Sequence, residues 1–247
     1  NTRPDIMTAV IISSRFGNNF KLYHWRCLIR IVKYLNGTLD KKLKFTAMSE
    51  ANIKERMTTA IRNKFTKKKA AELLNKLGKK ISLCIPVNIF TDADWATCKH
   101  TRKSVTGIAT YVFGNLATWC CSRQPVIATS TLQAEYIALD SGVKEGISET
   151  NFINEIMCDS GCAHNMIPYE PIIDMYCDST NAIHTAINDV NNNQTKHIDV
   201  RHHHIREMIR KNFSLSKVGT DKNIADIFTK PLEKKKFLNF ASQLMKW

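Results

Sequence analysis

No stretch of this 247-residue sequence is long and apolar enough to cross a bilayer, and nothing at its start resembles a signal peptide. Its eight cysteines (Cys27, Cys84, Cys98, Cys120, Cys121, Cys158, Cys162 and Cys177) lack the spacing of a disulfide scaffold, so a reduced, intracellular protein is the default. Acidic residues are scarce at one end. Residues 1–80 hold 5 Asp/Glu against 19 Lys/Arg, whereas residues 81–247 hold 17 of each, so the first 80 carry the whole net charge of +14. That asymmetry describes a polyanion-facing segment joined to a balanced globular domain. With 43% hydrophobic residues the chain can bury one sizeable core or two modest ones.

The element that organises the chain is Val87–Ala96. Val87, Ile89 and Thr91 share one parity of an apolar, β-branched run that ends in Asp92. Before it, Pro4 opens a first helix and Leu22 to Leu35 spaces Trp25, Leu28, Ile29, Val32 and Leu35 as a basic amphipathic second helix, closed by Asn36–Gly37–Thr38. Residues 46–84 are lysine-rich and weakly patterned. They read as an insertion or tether, with a helix over 60–77. After the first strand, Val105–Phe113 and Leu116–Cys121 flank Gly114–Asn115 as a hairpin. A long helix capped by Thr129, Ser130 or Thr131 carries Glu135, and Ile172–Asp178 is a fourth strand ending in acid. Helices from Ser179 and about Ile198, a strand Phe213–Val218 and a helix Lys222–Thr229 carrying Asp226 complete the order. The result is an α/β protein with a mixed five-stranded sheet flanked by helices, preceded by a basic helical segment.

Asp92, Glu135, Asp178 and Asp226 thus lie at strand ends and in helices that an open α/β sheet brings to one edge. Four carboxylates gathered there repel one another unless hard cations neutralise them, and an Asp/Glu donor set suits Mg²⁺ or Mn²⁺. Two such ions about 4 Å apart suit in-line displacement at phosphorus.

Six stretches carry a resemblance: Asp92–Ala96, Thr101–Gly107, Ser130–Leu139, Cys177–Ser179, Thr195–Arg201 and Asn223–Leu232. In this order over about 150 residues they resemble the ribonuclease H domain, and more narrowly the copia-type retrotransposon version. Arg3–Ile6, Ser14–Arg15, His24–Trp25 and Tyr34–Thr38 resemble the end of a copia-type reverse transcriptase. The resemblance implies a thumb or connection remnant over 1–45, a ribonuclease H domain over 85–232 and a helical tail over 233–247. It implies Asp92, Glu135, Asp178 and Asp226 as catalytic acids and ligands of two Mg²⁺ ions, with Asp92 bridging. It further implies hydrolysis of the RNA strand of an RNA–DNA hybrid, leaving a 3′-hydroxyl and a 5′-phosphate. The partners implied are that hybrid and the remainder of a Pol polyprotein, with no membrane. The compartment implied is the cytoplasm, in a virus-like particle, with the nucleus as a second site. The first residue is Asn1, so the chain is expected to be a piece of a longer polyprotein, and no polymerase activity is expected of it.

Arg102, Lys103, Ser130, Ser179, Asn181, Lys196 and His197 are the candidates for contacts to nucleic acid, although a solvated turn or helix capping accounts for several of them. The loop Gly219–Asp221 lacks the histidine that cellular ribonucleases H place before the last acid; His197 and His202–His204 are candidates to assist product release or contact phosphate, although an exposed helix face accounts for them better. Cys158, Cys162 and His164 have poor zinc spacing and no evident fourth ligand. An integrase or transposase shares the sheet but uses another acid set. The non-enzymatic alternative is a decayed or domesticated fragment that only binds nucleic acid or serves as a structural module.

Overall fold

A computed structural model describes residues 2–78, 85–98, 101–159, 173–188, 199–211 and 213–245, without the side chains of 157–159, 199, 200 and 202. The chain opens with a 3-10 turn, Pro4–Ile6, and helices α1 (Met7–Ser14) and α2 (Leu22–Asn36). Arg3 clamps them: it donates to both oxygens of buried Asp5, at 3.0 and 2.8 Å, and to Thr38, while Tyr34 Oη donates to Asp5 at 2.7 Å.

The lysine-rich segment, expected as an insertion or tether with one helix over 60–77, folds as two helices, α3 (Glu50–Lys64) and α4 (Lys67–Leu77), so helix begins earlier than expected and breaks at Phe65 and Thr66. Ile53, Met57, Ala60 and Ile61 line one face of α3 and bury against Ala70 and Leu77 of α4. Their i, i+4, i+7, i+8 spacing is helical, but the surrounding lysines mask it. Ser49 caps α3 by accepting from Asn52 N–H. Arg56 then reaches the sheet, donating to Asn88 Oδ1 at 3.1 Å.

Strand β1 (Val87–Asp94) is central. It pairs antiparallel with β2 (Val105–Val112), which pairs with β3 (Asn115–Arg123). Helix α5 (Thr131–Asp159) crosses the sheet and leads to β4 (Ile173–Cys177), parallel to β1. Helices α6 (Thr180–Ile187) and α7 (Asp199–Lys211) precede β5 (Phe213–Lys217), parallel to β4. The sheet order is β3-β2-β1-β4-β5, the mixed five-stranded sheet expected. A 3-10 turn, Ile224–Phe228, and helix α8 (Lys234–Leu244) close the described chain.

Several boundaries differ from the expectation. The hairpin turn is centred on Phe113 and Gly114, both at positive φ, so Asn115 is already in β3. Asp92 does not end β1; pairing continues to Asp94 because Val105 still faces it across the ladder. Asp226 rides a buried 3-10 turn of five residues rather than a helix over 222–229.

Two cores flank the sheet. On one face Ile89, Met175, Leu139, Val143 and Phe213 pack beneath α5, α6 and α7. Gly142 and Gly146 let α5 lie close: a Cβ on Gly142 would meet Thr91 Cγ2 at 2.6 Å, and one on Gly146 would meet Ile89 Cδ1 at 2.6 Å. Buried Asp140 of α5 holds α7 through His204 Nδ1 at 2.8 Å and Arg201 at 3.6 Å, so His204 is not the free surface residue expected. On the other face Val105, Ala109, Phe228, Phe240 and Leu244 form a second core, against which Met7 and Ile11 of α1 pack. Thr8 donates to Ile227 O at 2.5 Å, tying α1 to the turn that carries Asp226.

Candidate active site

Asp92 sits opposite Gly107 in the β1–β2 ladder. That glycine is a local necessity. A Cβ there would lie 2.7 Å from Ala225 O and 2.6 Å from Thr229 Cγ2, so only a bare backbone lets the Ile224–Phe228 turn settle on the sheet. The turn is pinned by Asn223, which donates to Thr91 O at 2.9 Å and accepts from Ala225 N–H. By these contacts Asp226 is delivered beside Asp92, and both are buried, 0% and 2% exposed.

Glu135 arrives from the first turns of α5, and Asp178 follows directly on β4. Carboxylate oxygens of Asp92, Asp178 and Asp226 lie within 4.8 Å of one another. Ligand atoms of Glu135, Cys177 and Asp178 form a second such group, so the acid common to both is Asp178 and not Asp92, the bridge that the resemblance implies. The four acids singled out in the sequence therefore converge from four separate segments.

Their electrostatics are uneven. Burial pushes Glu135 up to about 9, and the charges of Asp92 and Asp178 add to the effect. Burial likewise raises Asp92 to about 7 although Lys230 opposes it, and Asp226 adds to the rise. For Asp226, burial is outweighed by the ammonium groups of Lys230, in an ion pair, and Lys236, which donates to Oδ2; together they hold it below the usual carboxylate range. Lys230 Nζ lies 2.8 Å from Asp226 Oδ1 and 3.5 Å from Asp92 Oδ2, and Lys236 Nζ lies 2.5 Å from Asp226 Oδ2. Thr229 Oγ1 donates to Asp92 Oδ2 at 2.5 Å, fixing that carboxyl's orientation. Asp94, on the same side of β1, is raised by burial and counts Lys230 among its stabilising charges.

Thr229, Lys230, Lys236 and Cys177 were not among the expected site residues. Lys230 follows Asp226 at i+4, a spacing visible in the sequence. Lys236 comes from α8 and leaves no local signal. Cys177 Sγ donates towards Glu135 Oε2 at 3.9 Å, and burial raises the thiol, so it stays protonated beside the acids.

The expected nucleic-acid contacts are less concentrated. Ser130 caps α5, accepting from Gln133 N–H at 3.1 Å, and Ser179 caps α6, accepting from Ala182 N–H at 3.3 Å. Asn181 is exposed in the first turn of α6. Arg102 is exposed at positive φ, while Lys103 donates to Pro125 O at 2.6 Å. Lys196 and His197 lie outside the described residues, as do Cys162, His164 and the side chain of Cys158. Among the described residues no helix is long and apolar enough to cross a membrane.

No protein-family model matches the chain. It is 32% identical over 237 residues to the retrovirus-related Pol polyprotein from transposon TNT 1-94 of Nicotiana tabacum, covering 96% of this chain and 14% of that polyprotein. It is 29% identical over 244 residues to the corresponding polyprotein from transposon RE1 of Arabidopsis thaliana, covering 98% of this chain and again 14% of the relative. Among solved structures it is similar to LC11-RNase H1 isolated from compost, at a TM-score of 0.42 and 16% identity over 58% of this chain and 92% of that one. It is also similar to the N-terminal RNase H domain of a Mycobacterium tuberculosis protein, at a TM-score of 0.42 and 12% identity over 64% and 97% of the two chains. Over nearly its whole length, then, the chain is homologous to one segment of retrovirus-related Pol polyproteins from transposons.

Proposed function

We propose that this homologue of a transposon Pol segment is a metal-dependent ribonuclease H that hydrolyses the RNA strand of RNA–DNA hybrids. The observation that carries the reading is the meeting of Asp92, Glu135, Asp178 and Asp226, from four separate segments, in two ligand groups that share Asp178. The donor set fits hard divalent cations. It is dominated by carboxylate oxygens, and the burial that raises Glu135 and Asp92 marks carboxyls whose ionised form an added cation would stabilise. Asp92, Asp178 and Asp226 would hold one cation, and Glu135 with Asp178 would hold a second. Bound Mg²⁺ would supply a more acidic water and charge neutralisation at the leaving oxygen.

The chain's own groups do the rest. Thr229 holds the Asp92 carboxyl in one orientation, and Lys236 holds the far oxygen of Asp226. The excess of 19 Lys/Arg over 5 Asp/Glu in residues 1–80 would grip phosphates without reading sequence, giving an affinity that falls steeply with salt. Arg102, Asn181, Lys196 and His197 are proposed as further contacts to the hybrid. The setting proposed is the parent polyprotein inside an intracellular particle.

The test is a labelled RNA–DNA hybrid incubated with the chain in Mg²⁺ or in EDTA, beside Asp178→Asn. Metal-dependent cutting of RNA alone, lost in the variant, is expected. A folded chain that binds the hybrid in a gel shift and never cuts it would overturn the enzyme reading and leave a nucleic-acid-binding module.

A further inference from the structure

We infer that Lys230 is a resident counter-ion which the first divalent cation must displace, so that this side chain sets the metal affinity of the site. The inference rests on the cation-site reading above and adds a role for a residue outside the acid set.

Lys230 Nζ sits between two buried carboxylates, 2.8 Å from Asp226 Oδ1 and 3.5 Å from Asp92 Oδ2. Those two acids, with Asp178, are one of the groups able to hold an ion. An ammonium and a divalent cation cannot both take up the same pair of oxygens. Lys236 differs in how it is held. It bonds the other oxygen of Asp226, donates to Thr220 O at 3.0 Å and lies 5.4 Å from the centre of the Phe240 ring. A backbone carbonyl and an aromatic face keep Lys236 in place whatever happens to Asp226. Lys230 Nζ is held by the carboxylates themselves, and a third of its side chain faces solvent. Of the two, Lys230 is the one able to leave.

The position has two consequences of opposite sign. By neutralising Asp92 and Asp226, Lys230 lets the buried acids assemble before any cation arrives. By the same charge, it opposes the cation that comes to them.

The experiment is calorimetric titration of Mn²⁺ into the full chain, the Lys230→Gln variant and the Lys230→Arg variant, with thermal unfolding of each in EDTA. Lys230→Gln is expected to bind Mn²⁺ about tenfold more tightly, the effect of removing one partly screened charge a few ångströms from a divalent ion. In EDTA the same variant should melt about 3 °C lower, because the acids have lost their counter-ion. Lys230→Arg keeps the charge and should restore the wild-type affinity to within a factor of about two. A purely structural role would lower stability and could not tighten cation binding. Equal or weaker affinity in Lys230→Gln, or the same affinity in Gln and Arg variants, would overturn the inference while leaving the cation site standing. Failure of all three proteins to take up Mn²⁺ would overturn the cation-site reading and this inference with it.

Discussion

The acid cluster has two unlike halves. Asp92 and Asp226 meet over the bare backbone of Gly107, and their charge is answered by Lys230, Lys236 and the hydroxyl of Thr229. Glu135 has a protonated thiol, Cys177, at 3.9 Å and a backbone bond from Ala93, with Lys230 acting on it only through its field. A side-chain carboxyl is therefore held below its ordinary range at Asp226 and pushed up to about 9 at Glu135. What separates them is the cations brought by the 224–236 stretch, since both carboxyls are withdrawn from water. A fold can thus preload half of a metal site with its own ammonium groups, which an incoming cation exchanges for itself, and leave the other half without a counter-ion in contact until a cation arrives.

The widest test of that contrast removes one charge from each half. Asp226→Asn and Glu135→Gln should each lower the rate of hybrid cleavage by about a hundredfold or more, because both remove a cation ligand. Their effects on stability should differ in sign. Asp226→Asn strands two ammonium groups beside a neutral amide and should cost about 2 kcal/mol in EDTA, discounted for the partial exposure of both lysines. Glu135→Gln removes a carboxyl whose ionisation the fold resists and should gain about 1 kcal/mol at pH 8. Urea unfolding of the two variants in EDTA decides the matter. Destabilisation by both would mean that the halves are alike.

A second comparison concerns the backbone that carries each half. Gly107→Ala would drive a Cβ to 2.7 Å from the Ala225 carbonyl, and backbone gives way poorly; a loss of about 3 kcal/mol is expected. Gly142→Ala, under the helix that bears Glu135, meets the ends of Thr91 and Met175 side chains instead, of which the methionine can turn aside. About 1.5 kcal/mol is expected there. Equal melting temperatures for the two variants would show that the turn bearing Asp226 is not held by its fit over Gly107.

These contrasts also mark how far sequence reasoning reaches. Alternation in Val87, Ile89 and Thr91 exposes β1 because one face of the strand is buried and the pleat repeats every second residue. The four acids were legible because each lies in or beside a patterned stretch, although Asp92 falls within β1 and Asp226 within a 3-10 turn. Lys230 could have been found from its i+4 spacing to Asp226, but Lys236 comes from α8 and the pairing is purely tertiary. Asn115 shows the same limit. A Gly-Asn pair reads locally as the turn itself, yet Asn115 bonds Thr46, accepting from its N–H at 2.8 Å and donating to its carbonyl at 3.0 Å. That distant partner accompanies Asn115 in the strand, with Phe113 taking the positive φ in its place. In α3 the apolar positions were correctly spaced but too diluted by lysine to stand out, and the partner that buries them is α4, not the main core.

The smallest and most diagnostic effect is the dependence of stability on pH, because Glu135 and Asp226 should give limbs of opposite slope, with Asp92 adding to the alkaline limb in spite of Lys230. Glu135 and Asp92 are raised in the folded chain, to about 9 and about 7, from ordinary values of 4.5 and 3.8. The folded state therefore keeps protons that the unfolded chain has shed, and the stability these groups lend is full below pH 4 and lost as pH climbs towards 9. Asp226 is lowered, so its contribution is present above its ordinary pKa of 3.8 and is lost as pH falls beneath it. In EDTA the melting temperature should accordingly fall by about 3 °C between pH 6 and pH 9. Millimolar Mg²⁺ should flatten that fall, since a cation on the carboxylates makes their ionised form the stable one. Glu135→Gln should remove the part above pH 7 and leave the acid limb untouched, whereas Asp226→Asn should blunt the acid limb. If instead Glu135→Gln leaves the alkaline fall at full size, the uncompensated charge resides elsewhere than on the half of the site that the lysines leave open.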